Sequence, residues 1–126
     1  MKDQKYVILC VDDDQDTLDL LRIALESGGY QVVEALTAED GLRKCKAEKP
    51  DLIIVDLMME EVDSGAGLVT KLRSLGNTSP IYILSSVGDT LNRSIDSAEL
   101  GVTGIFQKPI EPKILLTTIN TKLKRK

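Results

Sequence analysis

Tyr6-Val7-Ile8-Leu9-Cys10-Val11-Asp12-Asp13-Asp14 is an apolar run closed by three carboxylates. It is short, rich in Val and Ile and ended by polar residues, so it reads as a β-strand that stops at the aspartates. Its apolar positions are consecutive rather than alternate, the pattern of a parallel strand covered on both faces. Leu52-Ile53-Ile54-Val55, followed by Asp56, repeats the pattern, and so does Ile81-Tyr82-Ile83-Leu84, followed by Ser85-Ser86. Gln31-Val32-Val33-Glu34-Ala35 mixes in polar residues and suits a sheet edge. Val102 to Gln107 supplies a fifth run and leads into Lys108-Pro109.

Amphipathic stretches fill the intervals. Asp16 to Ser27 carries Leu18, Leu21 and Leu25 at helical spacing and halts at Gly28-Gly29, a common helix stop. Thr37 to Glu48 carries Leu42 and Cys45, with Thr37 as its cap and Pro50 just beyond. Leu68 and Leu72 mark a third helix, and Ile95 and Leu100 a fourth. Ile114 to Leu123 forms the last, with Lys122, Lys124, Arg125 and Lys126 where cations favour a helix C-terminus. Strands alternating with helices predict an α/β, doubly wound, five-stranded parallel sheet with helices on both faces. The strand order expected is 2-1-3-4-5, flavodoxin-like. In such a sheet ligands bind beyond the C-terminal strand ends, at the switch point between the first and third strands. The residues that close the strands therefore hold the chemistry.

Composition narrows that chemistry. The chain has 126 residues, a formal charge of −4, 42% hydrophobic and 29% charged residues, so it is expected to be one globular domain, 1–126. The basic end from about residue 122 also reads as the start of a linker. A mildly acidic surface leaves no electrostatic footprint for direct nucleic-acid binding. With His 0, histidine triads, histidine metal ligands and histidine proton shuttles are excluded. Cys10 and Cys45 are too few for a four-cysteine zinc site and read as core thiols. No apolar h-region opens the chain and no run approaches a membrane span, so a cytoplasmic location is expected.

The strand ends bring together Asp12-Asp13-Asp14, Asp56, Ser85-Ser86 and Lys108. Crowded carboxylates raise one another's pKa or recruit a cation. Oxygen ligands without His or Cys favour Mg²⁺ or Ca²⁺, and few carboxylates with solvent and a phosphate oxygen suit Mg²⁺. An EF-hand is excluded, because Asp12 to Leu18 lacks the glycine and the closing glutamate. A carboxylate can also attack phosphorus and form an aspartyl phosphate. That transfer needs a cation, a lysine and a hydroxyl donor, and the acidic cluster, Lys108 and Ser85 supply them.

Over nearly its whole length the chain resembles the receiver domains of two-component response regulators, including the stand-alone chemotaxis receiver. The resemblance rests on Val11-Asp12-Asp13-Asp14, Asp51 to Met59, Pro80 to Ser86 and Phe106-Gln107-Lys108-Pro109, in order and at the expected spacing. It implies that Asp56 accepts a phosphoryl group from a phosphohistidine on a sensor histidine kinase or phosphotransfer protein. It implies Mg²⁺ on Asp13, Asp56 and the backbone carbonyl of Met58, with Asp12 acting through water. Lys108 would contact the phosphoryl group, Ser85 would hydrogen-bond it, and Lys108-Pro109 would be a cis peptide. The output would be a changed face along the fourth helix, last strand and last helix, offered to a downstream protein or effector domain. The implied protein is a signalling receiver that catalyses only its own phosphorylation and dephosphorylation.

Some positions depart from that family's pattern. Glu60 stands where proline is usual, and the turn Glu61 to Gly67 is one residue longer. Three residues before the lysine, Ile105 replaces the usual Tyr or Phe; Phe106 should face the other way, into the core. Signalling here is accordingly expected to dispense with an aromatic rotamer. Val102 and Thr103 replace the paired acids of the winged-helix subgroup, which argues against that subgroup's dimer and for a monomer or weak dimer. Met58 and Val87, two residues beyond Asp56 and Ser85, are apolar and predict slow loss of the phosphoryl group. The alternative is a degenerate receiver that binds a partner without phosphorylation. Haloacid-dehalogenase-type phosphatases fit less well, since Asp12 to Asp16 does not match their motif. A flavodoxin fits less well again, since those aspartates would repel the FMN phosphate.

Overall fold

The computed structural model describes residues 6–56, 64–85, 102–108 and 110–123. Five strands, β1 (Val7–Val11), β2 (Gln31–Ala35), β3 (Leu52–Asp56), β4 (Ile81–Ser85) and β5 (Gly104–Gln107), form one parallel sheet in the order β2-β1-β3-β4-β5. Helices α1 (Gln15–Ser27), α2 (Ala38–Glu48), α3 (Ser64–Ser74) and a C-terminal helix (Pro112–Leu123) are described with them. This is the doubly wound, flavodoxin-like sheet that the strand pattern predicts. The expected helix around Ile95 and Leu100 lies outside the described residues, as do Met58, Glu60, Glu61, Ser86, Val87, Pro109 and Lys124, Arg125 and Lys126.

Two cores explain the unbroken apolar runs. Ile8, Cys10, Leu52, Ile54, Tyr82 and Leu84 face Leu18, Leu21 and Leu25 of α1 and Leu115 and Ile119 of the C-terminal helix. Leu9, Val11, Ile53, Val55, Ile81 and Ile83 face Cys45 of α2 and Val69 and Leu72 of α3. Neighbouring residues on one strand thus enter opposite cores, and β3 and β4 are buried along their whole length. Each fully buried Leu or Ile contributes about 1.5–3 kcal/mol, so reversing a strand's register would cost several of these at once.

Helix ends are set by local chemistry. α1 stops in a Schellman turn: Gly29, at φ 90°, donates to the Glu26 carbonyl at 3.0 Å, and Tyr30 donates to that of Leu25 at 3.1 Å. α3 ends alike at Gly76, φ 89°, with Asn77 donating to the Leu72 carbonyl at 3.2 Å. Thr37 caps α2 by accepting from the Asp40 N–H at 3.0 Å. Several boundaries differ from the sequence expectation. β5 begins at Gly104 rather than Val102, although the Thr103 N–H already donates to Ile81 at 2.7 Å. The C-terminal helix begins at Pro112 rather than Ile114, because proline's missing N–H costs nothing in a first turn. β3 and β4 run one residue further, so Asp56 and Ser85 are themselves the last strand residues. Among the described residues no helix is long and apolar enough to cross a membrane.

Candidate functional site

Three consecutive aspartates follow β1, and the backbone gives each a different task. Asp12 is fully buried, and its N–H donates to the Ala35 carbonyl at 3.0 Å, which extends the β1–β2 ladder by one step. Its Oδ1 accepts from the Asp14 N–H at 2.9 Å, so the turn locks the carboxylate in place. Asp14 turns outward as the cap of α1: its Oδ1 accepts from the Asp16 N–H and its Oδ2 from the Thr17 hydroxyl, both at 3.1 Å. Its carboxylate is committed to the helix. Asp13, between them, is exposed.

β3 delivers the next carboxylate. Asp56 pairs in register with Leu84 and is almost completely buried. One carboxylate oxygen each from Asp12, Asp13 and Asp56 fall within 4.8 Å of one another. β4 ends at buried Ser85, whose carbonyl accepts from the Lys108 N–H at 2.7 Å. That bond holds Lys108 just past β5 and aims its side chain back across the strand ends. Its Nζ lies 3.3 Å from Asp12 Oδ2 and 3.5 Å from Asp56 Oδ1.

The electrostatics are those of a site short of positive charge. Burial raises the Asp12 pKa, against the pull of the Asp14 N–H and Lys108. For Lys108 burial alone would lower the pKa, but attraction to Asp12 and Asp56 outweighs it and the net shift is upward. Asp12 Oδ2 has an ion-pair neighbour but, among the described residues, no donor aligned for a hydrogen bond. A buried carboxylate oxygen without a directed donor, beside two further carboxylates, fits a hard cation held by oxygen ligands. Of the residues expected here, Asp12, Asp13, Asp56 and Lys108 are brought together. Ser85 joins them through strand pairing, and Met58 lies outside the described residues. Sequence reasoning did not foresee the Asp14 N–H as the group that orients Asp12, although Asp followed two residues on by a capping Asp is a readable turn signal.

Residues 8–120 match the response regulator receiver domain family. The chain belongs to that family. The receiver is 33% identical over 118 residues to the alkaline phosphatase synthesis transcriptional regulatory protein PhoP of Bacillus subtilis, covering 94% of this chain and 48% of that protein. Among solved structures it resembles a CheY-like response regulator receiver domain protein of Methanospirillum hungatei at TM-score 0.82 and 30% identity, covering 96% of this chain and 95% of that one. The chemotaxis protein CheY4 of Vibrio cholerae superposes at TM-score 0.84 and 27% identity, over 94% of this chain and 98% of that one. The receiver thus spans whole single-domain structures but about half the length of the curated relatives it matches. Receiver domains are signalling modules of two-component systems.

Proposed function

We propose that this receiver is a phosphoacceptor in which Asp56 takes a phosphoryl group from a phosphohistidine on a sensor histidine kinase or phosphotransfer protein, with Mg²⁺ at the acidic cluster. The observation that carries the reading is the meeting of Asp12, Asp13 and Asp56 within 4.8 Å with the Lys108 ammonium at 3.3 and 3.5 Å. An Asp56 carboxylate oxygen attacks phosphorus; the P–N bond breaks, and its electron pair leaves with the imidazole nitrogen. The product is an acyl phosphate on Asp56. Asp13, Asp56 and the Met58 carbonyl, with Asp12 acting through water, would hold Mg²⁺, which would supply charge neutralisation for the transferring oxygens. Lys108 supplies a second positive charge, and the Ser85 hydroxyl donates to a phosphoryl oxygen. Because Asp56 is almost completely buried at a strand end, only a donor seated on this edge of the sheet reaches it.

The output follows from what adjoins Lys108. A groove of about 440 Å³ runs from Lys108 past Ile105 and Ile110 to Ile114. Ile105 and Ile114 are 50% and 54% exposed, an apolar surface beside the site. A shift of Lys108 and Ser85 toward a phosphoryl group pulls on β5 and reshapes this face for a downstream protein or effector domain. Residues 1–126 act as one receiver unit in the cytoplasm, as a monomer or weak dimer, and contact nucleic acid only through a partner or another domain. With apolar Met58 and Val87 near the acceptor, the phosphoryl group is lost slowly. The test is intact-protein mass after incubation with acetyl phosphate, with and without Mg²⁺, beside Asp56→Asn. A single Mg²⁺-dependent phosphoryl adduct on the unmodified sequence alone is expected. An adduct that survives Asp56→Asn would refute the assignment.

A further inference from the structure

We propose that the outer edge of β2 is a self-complementary pairing surface for a second copy of this chain, and that Lys44 holds it shut. β2 ends the sheet, with β1 on one side and, among the described residues, no strand on the other. Backbone parity fixes which groups face outward. The Gln31 N–H donates to the Tyr6 carbonyl and the Ala35 carbonyl accepts from the Asp12 N–H, both at 3.0 Å, so Gln31, Val33 and Ala35 turn their backbone groups toward β1. Val32 and Glu34, between them, turn theirs outward, and a bare strand edge is a template for another strand. Lys44, on α2, reaches this edge: its Nζ donates to the Glu34 carbonyl at 2.6 Å, and Asp40 Oδ2 holds the same ammonium at 3.3 Å.

The occupant follows from the order of groups along the edge. A second β2 laid antiparallel, with the symmetry axis at Val33, sets Val32 of each copy opposite Glu34 of the other. Residues so placed form a hydrogen-bonded pair and exchange both of their N–H···O bonds. The arrangement uses every outward N–H and C=O of Val32 and Glu34, and Val33 meets Val33 in the close position between the pairs. The Glu34 carboxylate, which would lie beside Val32 of the other copy, is already paired with Arg22 at 2.7 Å. Lys44 occupies the carbonyl that the Val32 N–H of the other copy needs, and by symmetry it blocks the seam at both ends at once. An ammonium trapped in the seam would also have to give up its water. Lys44 thus keeps two copies apart at an edge whose backbone is otherwise ready to join them.

The test is sedimentation equilibrium of the full chain, for the unmodified sequence, for Lys44→Ala and, as the control for lost charge on α2, for Lys46→Ala. Alanine favours the helix, and Asp40 keeps its ion pair with Arg43. Lys44→Ala is expected to self-associate about thirtyfold more tightly, because each dimer gains a hydrogen bond at both freed carbonyls, each worth about fivefold. Lys46→Ala is expected to behave as the unmodified sequence does. Amide exchange followed by NMR locates the seam. In the dilute unmodified chain Val32 and Glu34 should exchange fast while Val33 is protected; in the Lys44→Ala dimer all three should be protected. A folded Lys44→Ala that associates no more tightly than the unmodified sequence overturns the inference. So does a dimer in which Val32 and Glu34 still exchange fast, or a Lys46→Ala dimer of equal strength. Protection of Val32 and Glu34 in the dilute, unmodified monomer overturns it as well, and decides the matter if Lys44→Ala does not fold.

Discussion

Gly104→Ala sets two physical effects against each other at the first residue of β5. Replacing glycine by alanine in a strand removes unfolded-state entropy and should stabilise by about 0.5–1 kcal/mol. Gly104 has no positive φ to forbid it; among the described residues those glycines are Gly29 and Gly76. The space around it forbids it instead. A Cβ there would sit 2.9 Å from Cε2 and 3.2 Å from Cδ2 of Tyr82, the residue directly opposite in register. The Tyr82 ring cannot simply swing away, because it stacks on Phe106 with centroids 5.0 Å apart and planes at 27°. Overpacking of this kind costs about 1–3 kcal/mol, so the net expectation is a loss of about 1–2 kcal/mol. For a domain of this size each kcal/mol lowers Tm by roughly 3–6 °C. The chain has no Trp, so urea and thermal unfolding should be followed by far-ultraviolet circular dichroism. Gly104→Ala combined with Tyr82→Leu should be more stable than the sum of the single changes predicts, because the smaller side chain relieves the contact. A Gly104→Ala receiver as stable as the parent, or more so, would refute the packing argument.

Asp51→Ala should cost about 1–3 kcal/mol in urea unfolding, because the Val7 N–H loses the carboxylate oxygen that it reaches at 2.8 Å; Asp51→Asn, which keeps an acceptor, should cost clearly less. Thr37→Ala should cost about 1 kcal/mol by removing the acceptor for the Asp40 N–H, and Thr37→Ser should restore most of it. Burial drives the Cys10 thiol far above its ordinary pKa, so it should resist iodoacetamide at every pH at which the fold survives and react only on unfolding; native-state labelling at pH 9 would contradict this. Crystal structures with and without a phosphoryl mimic should leave Phe106 in place, since its ring is buried and stacked on Tyr82; a Phe106 rotamer turned toward Ser85 would disprove it.

The sheet was legible because its chemistry is local and repeated. Runs such as Leu52 to Val55 are short, rich in β-branched residues and apolar at every position, as a strand with a core on each side requires. The candidate site was legible through the topology, which sends the polar residues at the C-terminal ends of β1, β3, β4 and β5 to one edge. Three features resisted. The start of β5 was misplaced because Val102 and Thr103 have the composition of a strand, and β pairing begins only at Gly104. The first turn of the C-terminal helix was missed because Pro112 reads as a break unless it is recognised as a first-turn residue. Asp51, one residue before β3, looks like a solvated turn; its tie to Val7 joins residues far apart in the chain, and no local pattern announces it.

The acidic triplet shows why residue type alone does not assign a role. Asp12, Asp13 and Asp14 are chemically identical and consecutive, yet one is buried, one is exposed and one is a helix cap. The difference comes from where the strand stops. Asp12 still makes the β1–β2 hydrogen bond to Ala35, so its side chain is held at the sheet's end among β-strands, where water is scarce. Asp14 already has the extended backbone of a cap, φ −102° and ψ 109°, so its side chain must fold over the first turn of α1. Moving the strand end by one residue would send a different aspartate toward Asp56 and Lys108. The position of the charge cluster is therefore fixed by backbone pairing two strands wide, which is why a loop residue as short as aspartate can meet a lysine from the far edge of the sheet.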